Sequence, residues 1–569
     1  MAREQEFLDF DLMEKSATNG SSLPLSAKQL EDWLTSLPMM DVVKSGKQVE
    51  AYLYFLNQAV LTDKLRYSLL EALRPIIKSF SDRFQSGLQN RMVNLSTESQ
   101  ALFRIVAELN KAMADGYLYL LQQQASKKPS WLSRKKYVDL TLKSVFYLGE
   151  QLHFCYLLYA PQAKAIWSKL HKLYSYACHH ELHDMEVVEQ DIAEFDSITI
   201  ARVYKRLLLQ AMVSPNSLKC AQLKQIYQLL ITDLDGIIIS KDSDSEAHGY
   251  FIDCLSDGGP ININELVHKA KDSFWKIDCS NLINQLEVWV KAGGRTFEHQ
   301  NSVMSVDFLT YLILMLKAHY IDIPERIQSE GKVSVIKGLT NIFAELKIEE
   351  LEDADKVEKA ELSLKPAGSL QVGSLNNWEE KDRSGDVWDR VPVFVTETLT
   401  EQQQVQPTLK QKTIVKPTLW SVVDFSPRGY RIKCQFQDEV PLAVGELLLV
   451  MVANDAQQQQ EQHWQLATVC WLNVSAQNGE VNMGIHVLGK DTQGIQVAKK
   501  TIAKPVFENC LLLNAKNAEE ANSILMSRNF ANTGDVLLFK PKQKVYKIRI
   551  EEVVWFSEGF AQFHFQLLK

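Results

Sequence analysis

The sequence predicts an α+β multidomain protein: an N-terminal all-α helical bundle, then a C-terminal antiparallel β-barrel with an additional β-rich tail. Two patterns and the length predict it. Apolar residues recur with helical period from about Ala27 to Leu230, and from Trp420 onward they fall in short alternating runs broken by turn residues. The 569 residues, 46% of them apolar, supply cores for roughly three to five domains at about 100–200 residues each.

The helical reading rests on spacing. Leu102, Ile105, Val106, Leu109 and Met113 stand at i, i+3, i+4, i+7 and i+11, one buried stripe on one helix. Leu65, Leu69, Leu70 and Leu73 repeat the pattern after a Thr62-Asp63 start signal, and Pro75 marks a point where the helix must kink or restart. Further helices are predicted over 135–159, 162–180 and 198–212, with short joints such as Lys127 to Ser130 that favour antiparallel packing. Trp167, Leu170, Tyr174 and Ala177 resemble half a tetratricopeptide unit, yet no 34-residue period follows, so an irregular bundle is the better account.

Around Asp235 the texture changes. Gly236 to Ile239 and Tyr250 to Ile252 read as the two arms of a hairpin. Helical pattern returns over 282–291 and 306–319, and Gly331 to Ile336 reads as a strand. The stretch 349–419, rich in Glu, Asp, Lys, Gln, Ser and Pro, reads as a flexible linker or insertion. The expected division is therefore 1–230 helical domain, 231–345 mixed α/β segment, 346–418 linker or insertion, 419–500 β-barrel and 501–569 β-rich extension.

Charge and cysteine usage narrow the function classes. The net charge of −8, from 62 Lys+Arg against 70 Asp+Glu, gives no general field for a nucleic-acid polymer or a membrane surface. The longest apolar stretch, Phe308 to Leu316, is about half the ~20 residues needed to cross a bilayer, and the N-terminus reads as acidic with no export signal. Eight cysteines without CxxC spacing fit reduced thiols. A cytoplasmic protein with no membrane insertion is expected.

One motif carries chemistry. Asp424-Phe425-Ser426-Pro427-Arg428-Gly429 is an instance of [DN]-x-S-x-x-G between two predicted strands, Leu419 to Val423 and Tyr430 to Phe436. Val444-Gly445-Glu446-Leu447, Cys470-Trp471-Leu472 and Met483-Gly484-Ile485-His486-Val487-Leu488 follow in order. Alone, Asp424, Ser426 and Gly429 also suit a tight turn whose side chains bond nearby backbone. In its context the segment from about Leu419 to Leu488 resembles the PilZ domain, a bacterial β-barrel family. That resemblance implies cyclic di-GMP as ligand, with Asp424, Ser426, Gly429, Arg428 and Arg326 at the nucleotide and no cofactor or metal. A carboxylate suits a guanine edge, a hydroxyl a polar edge or phosphate, and glycine a close approach or a positive φ. The family also grips phosphate with Arg-x-x-x-Arg, which lysine cannot copy. Lys410, Lys412 and Lys416 are the nearby upstream cations, and the closest look-alike is Arg326-Ile327-Gln328-Ser329-Glu330, whose second position is glutamate. If Arg326 opens the barrel, about 346–415 is an insertion between its first two strands. Arg431 is a further auxiliary cation.

The resemblance implies a regulatory protein that relays cyclic di-GMP to a protein partner of the helical domain, with motility, pili or surface attachment as output. Two alternatives remain beside it. One is a PilZ-fold interaction scaffold without nucleotide binding. The other is an HD-like metal phosphohydrolase, since His179 and His183 stand i, i+4 in Cys178-His179-His180-Glu181-Leu182-His183-Asp184, with His153, His171 and Asp191 available elsewhere. No phosphate-cradling glycine loop or GxSxG elbow occurs, so no enzyme activity is expected.

Overall fold

The computed structural model describes residues 8–16, 23–88, 97–124, 133–189, 197–232, 234–241, 249–262, 274–297, 302–317, 326–354, 416–435, 442–453, 463–475, 480–489, 492–499, 505–514, 521–527, 530–541, 544–556 and 560–568. Lys410, Lys412, Asp191 and most of the expected 346–418 insertion lie outside them. The helices are α1 Ala27–Thr35, α2 Val42–Gln58, α3 Asp63–Gly87, α4 Thr97–Gln124, α5 Arg134–Leu157, α6 Ile166–His179, α7 Ile200–Met212, α8 Cys220–Thr232, α9 Ser280–Lys291, α10 Val306–Leu316 and α11 Leu339–Ala354. The strands are β1 Val187–Val188, β2 Ser197–Ile198, β3 Ile238–Ser240, β4 Tyr250–Asp253, β5 Ile261–Asn262, β6 Phe274–Asp278, β7 Arg295–Phe297, β8 Ser302–Met304, β9 Ile327–Gln328, β10 Lys332–Lys337, β11 Thr418–Ser426, β12 Gly429–Gln435, β13 Leu447–Ala453, β14 Gln465–Val474, β15 Glu480–Gly489, β16 Thr492–Lys499, β17 Glu508–Leu513, β18 Ser523–Ser527, β19 Val536–Lys540, β20 Tyr546–Phe556 and β21 Phe560–Leu568.

By contacts the chain divides into two units: Met1–Glu330 with Ser421–Val444 and Val469–His486, and Gly331–Trp420 with Gly445–Thr468 and Val487–Lys569. In the first, α1 to α8 form the expected helical array. The stripe of α4 is buried at Ile105, Val106, Leu109 and Met113, and α3 buries Leu69, Leu70 and Leu73 behind a Thr62 cap that accepts from Leu65 N–H. Pro75 lies inside α3, which runs on to Gly87: it neither ends nor restarts the helix, so the packing of the α3 core face outweighs the one backbone hydrogen bond lost. Helix α5 is buried almost all round and carries charge inward. Lys143, 2% exposed, meets Asp139 at 2.8 Å and Glu71 at 2.9 Å, and Arg74 joins Glu71 to Glu189 at 3.0 and 2.7 Å.

The hairpin expected between 236–239 and 250–252 is not formed. Strand β3 pairs with β6, and β6 with β4, giving the order β3-β6-β4-β5. Helices α9 and α10 follow and pack together. The unit also contains an antiparallel ladder that runs from β9 to β11, to β12, to β15.

In the second unit, β10 pairs with β13 in unbroken register from Lys332↔Ala453 to Lys337↔Leu448, and β13 pairs with β14. A closed six-stranded antiparallel barrel, β16-β17-β18-β21-β20-β19, fills the C-terminal region. Strand β20 runs from Tyr546 to Phe556 as one element, with register shifts against β21 between Ile550 and Glu552 and between Val553 and Trp555. Helix α11 packs against β10 and β13 and also against β16 and β17, through Ile342 and Leu346 in a core with Ile336, Leu449, Leu511 and Leu513.

Candidate functional site

The five residues singled out by sequence stand around the turn between β11 and β12. Strand β11 alternates, with Trp420, Val422, Asp424 and Ser426 buried, and a register shift between Val422 and Asp424 puts the carboxylate on the ladder opposite Arg431. Strand β9 lies on the other side of β11, with Gln328 opposite Asp424 and Ile327 opposite Phe425, and Ser329 N–H extends the pairing to the Val423 carbonyl at 2.9 Å. That short ladder delivers Arg326. Its Nε donates to Asp424 Oδ1 at 2.5 Å, across 98 residues of sequence.

Asp424 is 3% exposed, and Arg431 Nη1 stands 3.6 Å from its other oxygen. A carboxylate removed from water costs several kcal/mol unless it is paired, and two guanidinium groups supply the pairing. Ser426 is buried, and its hydroxyl donates to the Gly429 carbonyl at 3.5 Å, closing the turn. Arg428 is exposed at the tip.

Gly429 meets the need for a close approach rather than a positive φ. A β-carbon there would stand 1.9 Å from the Ile485 carbonyl oxygen, so the β12–β15 ladder itself excludes any side chain. Gly484 is similar: a β-carbon would lie 2.0 Å from Trp471 Nε1.

The histidine cluster is not assembled as expected. Helix α6 ends at His179, and Glu181 takes a left-handed φ of 54° before His183, so His179 and His183 do not share a helix face. His183 Nε2 faces Asp184 at 3.1 Å. His171 bonds the Tyr204 hydroxyl at 2.7 Å and the Gly258 carbonyl at 2.8 Å, while His153 bonds Gln210 at 3.0 Å. Among the described residues no group of three His, Cys, Asp or Glu side chains is placed to hold a metal. No described helix is long and apolar enough to cross a membrane.

A buried [DN]-x-S-x-x-G carboxylate, tied to the arginine that immediately precedes β9, marks a PilZ-domain protein. Comparison agrees: residues 28–233 match the family model described as "Cyclic-di-GMP receptor FimW, N-terminal domain", and residues 250–493 match "Cyclic-di-GMP receptor FimW, middle PilZ domain". The chain belongs to this family of PilZ-domain receptors. It is 22% identical over 547 residues to the cyclic-di-GMP receptor FimW of Pseudomonas aeruginosa, an alignment that covers 90% of this chain and 86% of that protein. No solved structure matches the chain.

The matched PilZ region begins well upstream of Leu419 and includes Arg326, β9 and β10. The signal for this was present in the Gly331 to Ile336 run. What sequence could not give was its pairing to β13, more than a hundred residues on.

Proposed function

We propose that the chain is a cytoplasmic regulatory protein that binds cyclic di-GMP at the β11–β12 turn and relays it to a protein partner of the helical domain, with pili, motility or surface attachment as output. The observation that carries this reading is the buried Asp424 carboxylate held by Arg326. Nε of Arg326 is engaged by Asp424, which fixes the plane of the guanidinium and leaves its Nη edge for a phosphate oxygen pair. Asp424 would accept from a guanine edge, Ser426 and Arg428 would contact the nucleotide at the turn, and Gly429 holds the turn against β15 so that these groups stay in place. Binding would act by population shift, limited by the difference in affinity between the two states of the protein.

The test is isothermal titration of the full chain with cyclic di-GMP beside Asp424→Asn and Arg326→Ala, each checked for an unchanged melt. The expected result is binding by the unaltered chain and a loss of at least about tenfold, ~1.4 kcal/mol, in each variant. The scaffold reading draws on Glu330, a carboxylate where the family pattern has its second arginine. No heat of binding and no ligand-induced rise in melting temperature would favour it.

A further inference from the structure

Glu330 leaves the expected clamp one cation short, and the cross-strand register shows where another guanidinium stands. Asp424 is directly opposite Arg431 in the β11–β12 ladder, and Arg431 is directly opposite Gly484 in the β12–β15 ladder. Residues opposite one another across antiparallel strands share a face of the sheet. Asp424, Arg431 and Gly484 therefore form a row across three strands, and Arg326 reaches the Asp424 end of it from beside β9. At the other end Gly484 has no side chain, and the indole of Trp471 occupies that space. In order, the row presents guanidinium, carboxylate, guanidinium and indole.

Two features of Arg431 point to a ligand. Its Nη1 approaches Asp424 Oδ2 only to 3.6 Å, longer than a hydrogen bond, and its Nε is buried with no hydrogen-bond partner among the described residues. Its side chain is nonetheless 43% exposed, beside an Arg326 side chain that is 38% exposed. Two guanidinium groups on one carboxylate leave a positive charge over in this row, which suits an anion.

We propose that Arg431 is the second guanidinium of the nucleotide site, taking the phosphate contact that the glutamate at 330 cannot make. This rests on the cyclic di-GMP reading above. Asp424 sits between Arg326 and Arg431 and holds two like charges within reach of one phosphodiester, while the indole of Trp471 lies over Gly484 at the far end of the row, an aromatic group of the kind on which bases stack. The double-arginine grip is thus assembled from β12 and the segment before β9 instead of from one five-residue run.

The experiment is titration of the full chain with cyclic di-GMP for the unaltered protein, Arg431→Ala, Arg431→Lys and Lys433→Ala, with melts on all four. Lys433 is the charge-matched control: it lies two residues on along β12 and pairs with Glu480 at 3.4 Å. The expected result is a tenfold or greater loss for Arg431→Ala, most of it persisting in Arg431→Lys, and a change within twofold for Lys433→Ala. Full binding by Arg431→Lys would make Arg431 a mere neutraliser of Asp424 and overturn the inference, as would equal losses in Arg431→Ala and Lys433→Ala. Binding by the unaltered chain that Arg431→Ala leaves intact would overturn it while the function reading stands. No binding by the unaltered chain would sink that reading, and this inference with it.

Discussion

At the scale of single residues, the two glycines of the β12–β15 ladder face different obstacles. The atom a β-carbon would strike at Gly429 is a carbonyl oxygen of the neighbouring strand, which cannot move without breaking the ladder. At Gly484 it is one side chain, Trp471. Gly429→Ala is therefore expected to destabilise by about 3 kcal/mol, the upper end of the usual overpacking cost, and Gly484→Ala by less. Adding Trp471→Ala to each should recover stability in the Gly484 background alone, a non-additivity that thermal melts of the four variants would read. At this scale much of the candidate site was legible. The resemblance to the PilZ pattern pointed to Asp424, Ser426, Gly429, Arg428 and Arg326, and the structure brings Arg326 to Asp424. That Arg431 faces the same carboxylate was not legible, because a register shift between Val422 and Asp424 decides which residues stand opposite.

At the scale of elements, α5 shows what helical periodicity conceals. It is buried almost all round although it contains Lys143, Glu150 and His153, which meet Glu71, Tyr227 and Gln210 on other helices, Lys143 also pairing with Asp139 of α5 itself. Burial, with the Arg206 and Lys224 charges adding to it and the Gln210 hydrogen bond opposing, pushes His153 down to about 3. The folded protein thus keeps this imidazole neutral where an unfolded chain, titrating near 6.5, takes up a proton. Its contribution to stability is complete above that value and is lost as pH falls toward the folded value, at up to about 1.4 kcal/mol per pH unit. Denaturant melts between pH 7 and about pH 4 should show a shallower decline for His153→Gln than for the unaltered chain. An equal slope would place the acid sensitivity elsewhere. The helices were legible because their apolar stripes are local. The 236–239 and 250–252 runs were misjoined because β6, 274–278, comes between them in space and after them in sequence.

At the scale of the molecule, α11 is where the second unit gains its cohesion. Ile342 is fully buried in a core that includes Ile336 and Leu449 from the PilZ strands and Leu511 and Leu525 from the C-terminal barrel. Ile342→Ala should cost about 2–5 kcal/mol. Because the cavity opens onto both sets of strands, they should lose stability in one transition; a melt in which only one of two steps moves would count against this. The β11–β12 turn and the strand-rich tail could be read from alternation and turn residues. That these tail strands close into a barrel with β16, which precedes them, through its pairing to β19 could not, since closure depends on pairing between distant segments.

The ion pair between Arg326 and Asp424 spans 98 residues, and the stretch 355–415 lies between them. In covalent terms the site is thus already bipartite. A backbone cut anywhere in that stretch would leave one arginine and the carboxylate on separate polypeptides, joined by the β9–β11 and β10–β13 ladders and by the packing of α11 against β13, β16 and β17. Such a nicked protein is a natural split receptor, in which reassembly of the two fragments and formation of the site are the same event.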